Sequence, residues 1–188
     1  MSVDSKIAHA LEIDAAVLNL NGMGLTALPA SIGELRDLRT LTLWNNDLAE
    51  LPESFSQLRA LTYLDLDRNQ FTRLPASICE LPALKILDLR QNQLTSLPGA
   101  FGRLTQLKTL YLDNNLLTEL PESFGQLHAL EVLWFDGNPL GAFMGRFGRP
   151  NVESVRARWA HYHALHAALG HLPWELREMI AEDEIKLR

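Results

Sequence analysis

Apolar positions recur along this chain at a spacing of 23 residues. The stretch from Leu38 to Ala60 reads Leu-Arg-Thr-Leu-Thr-Leu-Trp-Asn-Asn-Asp-Leu-Ala-Glu-Leu-Pro-Glu-Ser-Phe-Ser-Gln-Leu-Arg-Ala, and a shift of 23 places it on itself. Asn46 becomes Asn69, Asn92, Asn115 and Asn138, while Pro52 becomes Pro75, Pro98 and Pro121. The backward shift finds Pro29 but puts Met23 where the Asn belongs. A fixed period of this length means one small structural unit repeated and stacked. Five full units begin near Ala15, Leu38, Leu61, Leu84 and Leu107, and a truncated sixth begins at Leu130.

Within each unit the alternating centre predicts a short strand: Val17–Asn21, Thr40–Trp44, Tyr63–Asp67, Ile86–Arg90, Thr109–Asp113 and Val132–Asp136. Side chains alternate along a strand, so its two central apolar residues turn inward and the three between and beside them face out. The Asn that follows can both donate and accept, satisfying backbone groups where the chain leaves the sheet. An inward Leu or Phe comes next, at Leu25, Leu48, Phe71, Leu94 and Leu117, and then Leu-Pro. Proline fixes φ and lacks a donor, which suits the first turn of a helical segment. That turn carries Ile32, Phe55, Ile78, Phe101 and Phe124 inward.

A stack of coils leaves its end units open to water, so caps are expected. Residues 4–13 predict a short amphipathic helix, capped by Asp4 or Ser5, with Ile7, Ala8, Ala10 and Leu11 on the apolar face. Past Leu140 the period fails, and Gly141, Gly145, Gly148 and Pro150 interrupt it. From Asn151, the residues Val152, Val155, Trp159, Tyr162, Leu165 and Leu169 recur at helical spacing, and Pro173 opens a second helical segment. The expected organisation is an N-terminal helical cap (1–14), repeats (15–140) and a C-terminal helical-hairpin cap (141–188).

The pattern LxxLxLxxNxLxxLPxxFxxL, held from about Val17 to Leu140, resembles the typical intracellular leucine-rich repeats of the Ras-group and plant intracellular proteins and their bacterial look-alikes. The resemblance implies an α/β solenoid: a right-handed arc with a parallel sheet on its concave side and short helical turns on its convex side. It also implies recognition of a protein partner through the concave sheet.

Composition narrows the function classes. Net charge is −6. Residues 1–139 hold 10 Lys/Arg against 17 Asp/Glu, and 140–188 hold 7 against 6. An acidic body argues against nucleic acid, whose phosphates need clustered cations. No apolar run approaches the ~18–20 residues that span a bilayer. Cys79 is the one cysteine, so no intrachain disulfide forms. The start, Met-Ser-Val-Asp-Ser-Lys, has no basic-then-apolar run of a secretory signal. The expectation is a cytoplasmic location, with export by a signal-less route as the alternative.

Laid out strand by strand, the outward residues form three columns. The first reads Val17, Thr40, Tyr63, Ile86, Thr109, Val132; the second Asn19, Thr42, Asp65, Asp88, Tyr111, Trp134; the third Asn21, Trp44, Asp67, Arg90, Asp113, Asp136. Asp65, Asp67, Asp88, Asp113 and Asp136 gather with Arg68 and Arg90 among the aromatics Trp44, Tyr63, Tyr111 and Trp134. Rigid rings beside charges are the usual material of interface hot spots. These eleven residues are the candidate partner-binding face, suited to a protein or peptide with basic and apolar groups. The bland alternative is that strands tolerate aromatics and the aspartates keep the face soluble.

Catalytic chemistry finds little support. An open sheet offers no enclosed site for paired carboxylates, and no nucleophile stands beside a His base. Cys79 replaces Gly33, Ser56, Gly102 and Gly125 of other units, a position for a small packed residue. His163 and His166 share a helix face and form a weak metal candidate lacking an obvious third ligand. No cofactor is expected. The function expected is a non-enzymatic interaction module or scaffold. The alternatives are an effector or substrate-targeting subunit working through a catalytic partner and, last, a ubiquitin-ligase-type effector.

Overall fold

The computed structural model describes residues 2–140 and Val152. A helix α1 (Val3–Glu12) precedes six strands: β1 (Val17–Asn19), β2 (Thr40–Thr42), β3 (Tyr63–Asp65), β4 (Ile86–Asp88), β5 (Thr109–Tyr111) and β6 (Val132–Trp134). They pair in chain order as one parallel sheet. Each residue sits beside its equivalent in the next unit: Val17 pairs with Thr40, Thr40 with Tyr63, and so on to Val132. Single 3-10 turns at Ala30–Glu34, Glu53–Gln57, Ala76–Glu80, Phe101–Arg103 and Glu122–Gln126 form the opposite wall.

The strands are three residues long where five were expected. The cause is local: Gly22, Asn45, Arg68, Gln91, Asn114 and Gly137, just beyond each strand, all take positive φ. That left-handed residue ends the extended backbone. Hydrogen bonding nonetheless continues past the strand ends, with Asn45 N–H donating to the Asp67 carbonyl at 3.0 Å and Arg68 N–H to the Arg90 carbonyl at 3.0 Å.

The space between the walls is filled by Leu and Phe. Leu41, Leu64, Leu87 and Leu110 of the strands and Leu43, Leu66, Leu89 and Leu112 just past them are fully enclosed, as are Ile32, Phe55, Ile78, Phe101 and Phe124 of the turns. Burying each such side chain contributes about 1.5–3 kcal/mol, so the repeated inward positions supply most of the favourable energy. Neighbouring turns pack closely: a Cβ on Gly102 would run into the Ser123 carbonyl oxygen, and one on Gly33 into that of Ser54. Cys79, at the equivalent position, is buried, and burial pushes its thiol up to about 11. It is a packed residue and not a nucleophile.

Each asparagine works backward along the stack. Asn92 Nδ2 donates to the carbonyls of Leu89 (3.1 Å) and Arg90 (3.0 Å) in its own unit and of Leu66 (2.9 Å) in the one before. Its Oδ1 accepts from Phe71 N–H at 3.1 Å, also in the preceding unit. Asn46, Asn69, Asn115 and Asn138 repeat the arrangement. Met23 is thereby explained. The first unit has none before it, so nothing at position 23 needs bridging. Met23 instead donates its own N–H to Asn46 Oδ1 at 3.0 Å.

Helix α1 is capped by Ser2, whose Oγ accepts from Ser5 N–H at 3.2 Å, and not by Asp4 or Ser5 as expected. Asp4 lies in the first turn, where the positive end of the helix favours it. Ile7 and Ala10 are buried and Leu11 is half-buried, whereas Ala8 is exposed. One residue further on is about 100° further round the helix, which carries Ala8 off the packed face. Lys6 Nζ donates to the Asn19 carbonyl at 3.1 Å, occupying part of the open edge of β1. The expected C-terminal hairpin and the His163/His166 pair lie outside the described residues.

Candidate functional site

The repeat places the candidate residues in register. Tyr63, Asp65, Asp88, Tyr111 and Trp134 lie on neighbouring strands, paired Asp65 with Asp88, Asp88 with Tyr111 and Tyr111 with Trp134. Trp44 and Trp134 are both exposed, at 37% and 52%, near opposite ends of the same sheet. Aromatic rings here fill no core position.

The aspartates depart from expectation. Asp67, Asp88 and Asp113 are buried, at 7%, 3% and 8% exposure, although they project from the outer face of the sheet. Parallel strands lie about 4.8 Å apart, so bulky neighbours in the same columns wall in the short Asp side chains. Asp65 is half-buried and Asp136 stands in solvent.

Three aspartates serve the backbone. Asp65 Oδ1 accepts from Asp67 N–H at 3.0 Å, and Asp88 Oδ1 from Arg90 N–H at 3.1 Å. Asp113 Oδ1 accepts from Asp136 N–H at 3.1 Å, across to the next unit. Two oxygens remain: Asp67 Oδ1 and Asp113 Oδ2 are buried without a hydrogen-bond partner. Burial raises the carboxyls of Asp65, Asp67 and Asp113 above the usual aspartate range. For Asp67 the nearby Asp88 charge adds to the effect, while Arg90, Arg68 and a hydrogen bond from the Trp44 side chain oppose it. Tyr63 is raised as well, first by burial and then by Asp65 and Asp88.

Arginines knit this acidity to the rings. Arg90 holds Asp88 through a fork, with Nε 2.9 Å from Oδ1 and 3.0 Å from Oδ2, and a second nitrogen on Oδ2. Those bonds, reinforced by Asp67 and Asp113, hold the guanidinium charge more firmly than usual. The same guanidinium lies over Tyr111, 5.0 Å from the ring centre. Arg68 lies over Trp44 at 5.6 Å. Tyr111 meets Trp134 edge-on, with centroids 6.4 Å apart.

Arg68 occupies left-handed backbone, φ 54°, where other units use Gly or Asn and one uses Gln. Such a conformation is costly for an ordinary side chain. Sequence reasoning overlooked a further apolar element. Leu116 is 52% exposed, and the equivalent positions are Gly24, Asp47, Gln70 and Gln93. Its interruption of a polar column was visible in the repeat alignment.

Among the described residues no group of three or more His, Cys, Asp or Glu is placed to hold a metal ion. No described helix is long and apolar enough to cross a membrane. The surface is an open sheet face carrying aromatic rings, the forked Arg90–Asp88 ion pair and further carboxylates. Such a face can hold a partner's cationic and apolar groups.

Comparison with known proteins points the same way. A family model described as "Leucine-rich repeat region" matches residues 60–138, and one described as "Leucine rich repeat" matches 15–71. No curated protein sequence matches the chain. Among solved structures, a leucine-rich repeat protein of Leptospira interrogans is 35% identical, with a TM-score of 0.67, over 80% of this chain and 37% of that one. YopM of Yersinia enterocolitica is 32% identical, with a TM-score of 0.57, over 71% of this chain and 27% of that one. The leucine-rich repeat domain of the type III effector XopL is 27% identical, with a TM-score of 0.59, over 68% of this chain and 47% of that one. The chain thus spans less than half the length of each. The in-register parallel sheet, the asparagine ladder and these matches lead to one assignment: this chain belongs to the leucine-rich repeat family.

Proposed function

We propose that this chain is a non-enzymatic recognition module or scaffold, holding a protein or peptide partner with basic and apolar groups on its concave sheet. The observation that carries the reading is the exposure of Trp44 and Trp134 on one face, beside carboxylates that outnumber the arginines among them. The binding residues are Trp44, Tyr63, Asp65, Asp67, Arg68, Asp88, Arg90, Tyr111, Asp113, Trp134 and Asp136. Large rings contribute burial at small entropic cost, and the surrounding charge sets orientation and speeds encounter. The acidity of this face favours a protein over a nucleic acid. Burial, which raises the Cys79 thiol to about 11, speaks against that residue as the nucleophile of a ubiquitin-ligase-type effector.

A second reading has one specific support, the likeness to the repeat domain of a type III effector. In that reading the chain is an effector or a targeting subunit that delivers a bound protein to a catalytic partner. Both readings use the same face.

Affinity capture with the wild type and a Trp44→Ala/Trp134→Ala double variant tests the common claim. The expected result is a partner held by the wild type and lost by about tenfold or more in the variant, at unchanged circular dichroism. Equal capture by the two proteins removes the concave-face reading.

A further inference from the structure

We propose that the edge of the sheet where the chain enters each strand is a second contact surface, fitted to an acidic segment of the partner. The inference rests on the concave-face reading above for where the rest of that partner lies. Cations are unevenly placed in this molecule. Residues 1–139 hold ten Lys/Arg against seventeen Asp/Glu. The five connections that lead from a 3-10 turn into the next strand are 33–39, 56–62, 79–85, 102–108 and 125–131. They hold six of the ten cations, Arg36, Arg39, Arg59, Lys85, Arg103 and Lys108, but four of the seventeen carboxylates. The rest of 1–139 therefore carries four cations against thirteen carboxylates. The three middle connections show the imbalance most clearly: Arg59, Lys85, Arg103 and Lys108 are accompanied by Glu80 alone.

The repeat brings these residues into line. Thr62 N–H donates to the Arg39 carbonyl at 2.8 Å, Lys85 N–H to the Thr62 carbonyl at 2.9 Å, and Lys108 N–H to the Lys85 carbonyl at 2.8 Å. Arg39, Lys85 and Lys108 thus belong to one column at the lip of the concave face, and Arg36 and Arg59 lie three residues ahead of it in their coils. All six side chains are exposed. Cations already paired within the chain would offer a partner little. Among the described residues, only Lys108 of the six forms an ion pair, with Glu131 at 2.9 Å, and both members of that pair are in solvent. Such an exposed pair contributes about 0–1 kcal/mol and exchanges partners readily.

The dimensions of this edge select among anions. From Arg39 to Lys108 the column crosses three unit spacings, about 14 Å, which about five residues of an extended chain would span. The acidic second column, with Asp65 and Asp88, begins three residues along each strand, about 10 Å away. A nucleic-acid duplex or an anionic bilayer spreads its charge wider than that, so the acidic face repels it within the ~8–10 Å over which charges act. Single-stranded nucleic acid gains by stacking its bases on rings, and the five connections contain no Trp, Tyr or Phe. One peptide chain is narrow enough to keep to the edge. A partner that is basic over the face and acidic over this edge is held in one orientation, because reversal sets like charges together.

The test uses the full 188-residue chain and, as probe, a fluorescein-labelled octaglutamate peptide followed by anisotropy at low ionic strength. Saturable binding that weakens as salt is added is expected, with none for octaglutamine. Arg59→Gln/Lys85→Gln should bind octaglutamate about fivefold or more weakly, whereas Arg73→Glu, beyond the other end of the strands, should lose less than about twofold. The two variants change net charge equally, so position alone separates them. Circular dichroism should be unchanged in both. Four outcomes overturn the edge: no saturable binding, equal loss in the two variants, a uridine octanucleotide or anionic vesicles bound as tightly as octaglutamate, or binding kept in the edge variant and lost in Arg146→Ala/Arg149→Ala. Failed octaglutamate binding beside a tryptophan-dependent capture rejects the edge alone. A capture indifferent to Trp44 and Trp134 rejects the face, and with it the placing of an acidic segment beside that face.

Discussion

Two ladders of buried polar side chains are built into the repeats, one along the interior and one over the central units of the sheet face. Inside, Asn46, Asn69, Asn92, Asn115 and Asn138 each sit at 7% exposure or less with their amides satisfied on both atoms. On the sheet face, Asp67, Asp88 and Asp113 are as deeply buried, yet two of their oxygens have no partner. The first ladder varies not at all from unit two to unit six. The second changes residue type at almost every step. An amide can donate to carbonyls and accept from N–H groups of two coils at once, whereas a carboxylate can only accept. Identical need gives identical residues in the interior, whereas the residues of the face vary from unit to unit and leave buried oxygens unmet.

The largest effect should come from the interior ladder. Asn92→Ala leaves the Phe71 N–H unpaired in a dry site at the centre of the stack and takes one of two donors from each of the Leu66 and Leu89 carbonyls, which keep Asn69 and Asn115 Nδ2. With about 1–3 kcal/mol for the unmet N–H and about 0.5–1 kcal/mol for each weakened carbonyl, the loss should be about 2–4 kcal/mol. Chemical denaturation of the two proteins measures it. A loss below about 1 kcal/mol means the asparagines merely accompany the fold.

Replacing an aspartate of the outer ladder should act with the opposite sign. Asp67→Asn removes a buried charge whose Oδ1 has no partner, and stability should rise by about 1 kcal/mol while affinity for a basic partner falls. The pH dependence follows from the same imbalance. The carboxyls of Asp65, Asp67 and Asp113 are raised from 3.8 in the folded chain, so it takes up protons before the unfolded chain does. Their contribution to stability therefore grows as pH falls through the raised values and is complete below the unfolded value. The melting temperature of the triple Asn variant minus that of the wild type should be largest at about pH 7 and shrink towards about pH 4. Partner binding should weaken over the same interval. A difference independent of pH contradicts the assignment of these groups.

Arg68 sharpens the contrast at smaller scale. Its left-handed backbone, φ 54°, is the conformation that Gly22, Gly137, Asn45 and Asn114 adopt more cheaply in other units. Arg68→Asn should add roughly 0.5–1 kcal/mol of stability, because Asn tolerates that region far better. The same change uncovers Trp44 and lowers partner affinity. A variant that gains stability and keeps full affinity shows that Arg68 has no role at the face.

How much of this the sequence displayed depends on which ladder is considered. The period alone placed every inward Leu and Phe, the pairing order of the strands and the structural role of the asparagines. Those positions answer to one physical demand, repeated. It also placed Trp44 and Trp134 on a shared outer stripe. Burial of Asp67, Asp88 and Asp113 was hidden, because alternation states which side of a sheet a residue faces and not how tall its neighbours are. The fork between Arg90 and Asp88 was hidden too, since it depends on one side chain's turn toward the neighbouring column. Helix α1 misled by a small margin at its start: Ser2, Asp4 and Ser5 are all good caps, and the choice among them rests on where the helix meets the first coil.

The smallest effect tests the cleanest inference. Met23 is the one place where the interior ladder is broken, and its neighbour Asn46 already accepts the N–H groups of Met23 and Leu25 at 3.0 Å each. An Asn at 23 has no earlier coil to reach, because a helix and not another repeat unit precedes the first coil. Met23→Asn should therefore bring no gain in stability, because the amide finds no second coil and some of the packing of half-buried Met23 against the core is lost. Restoring the repeat's consensus at this site should bring nothing, although in every later unit the same residue stabilises the stack. A gain of more than about 1 kcal/mol means that the amide has found partners across the cap. In that case the asparagine closes a coil on itself, and the backward bridge is secondary.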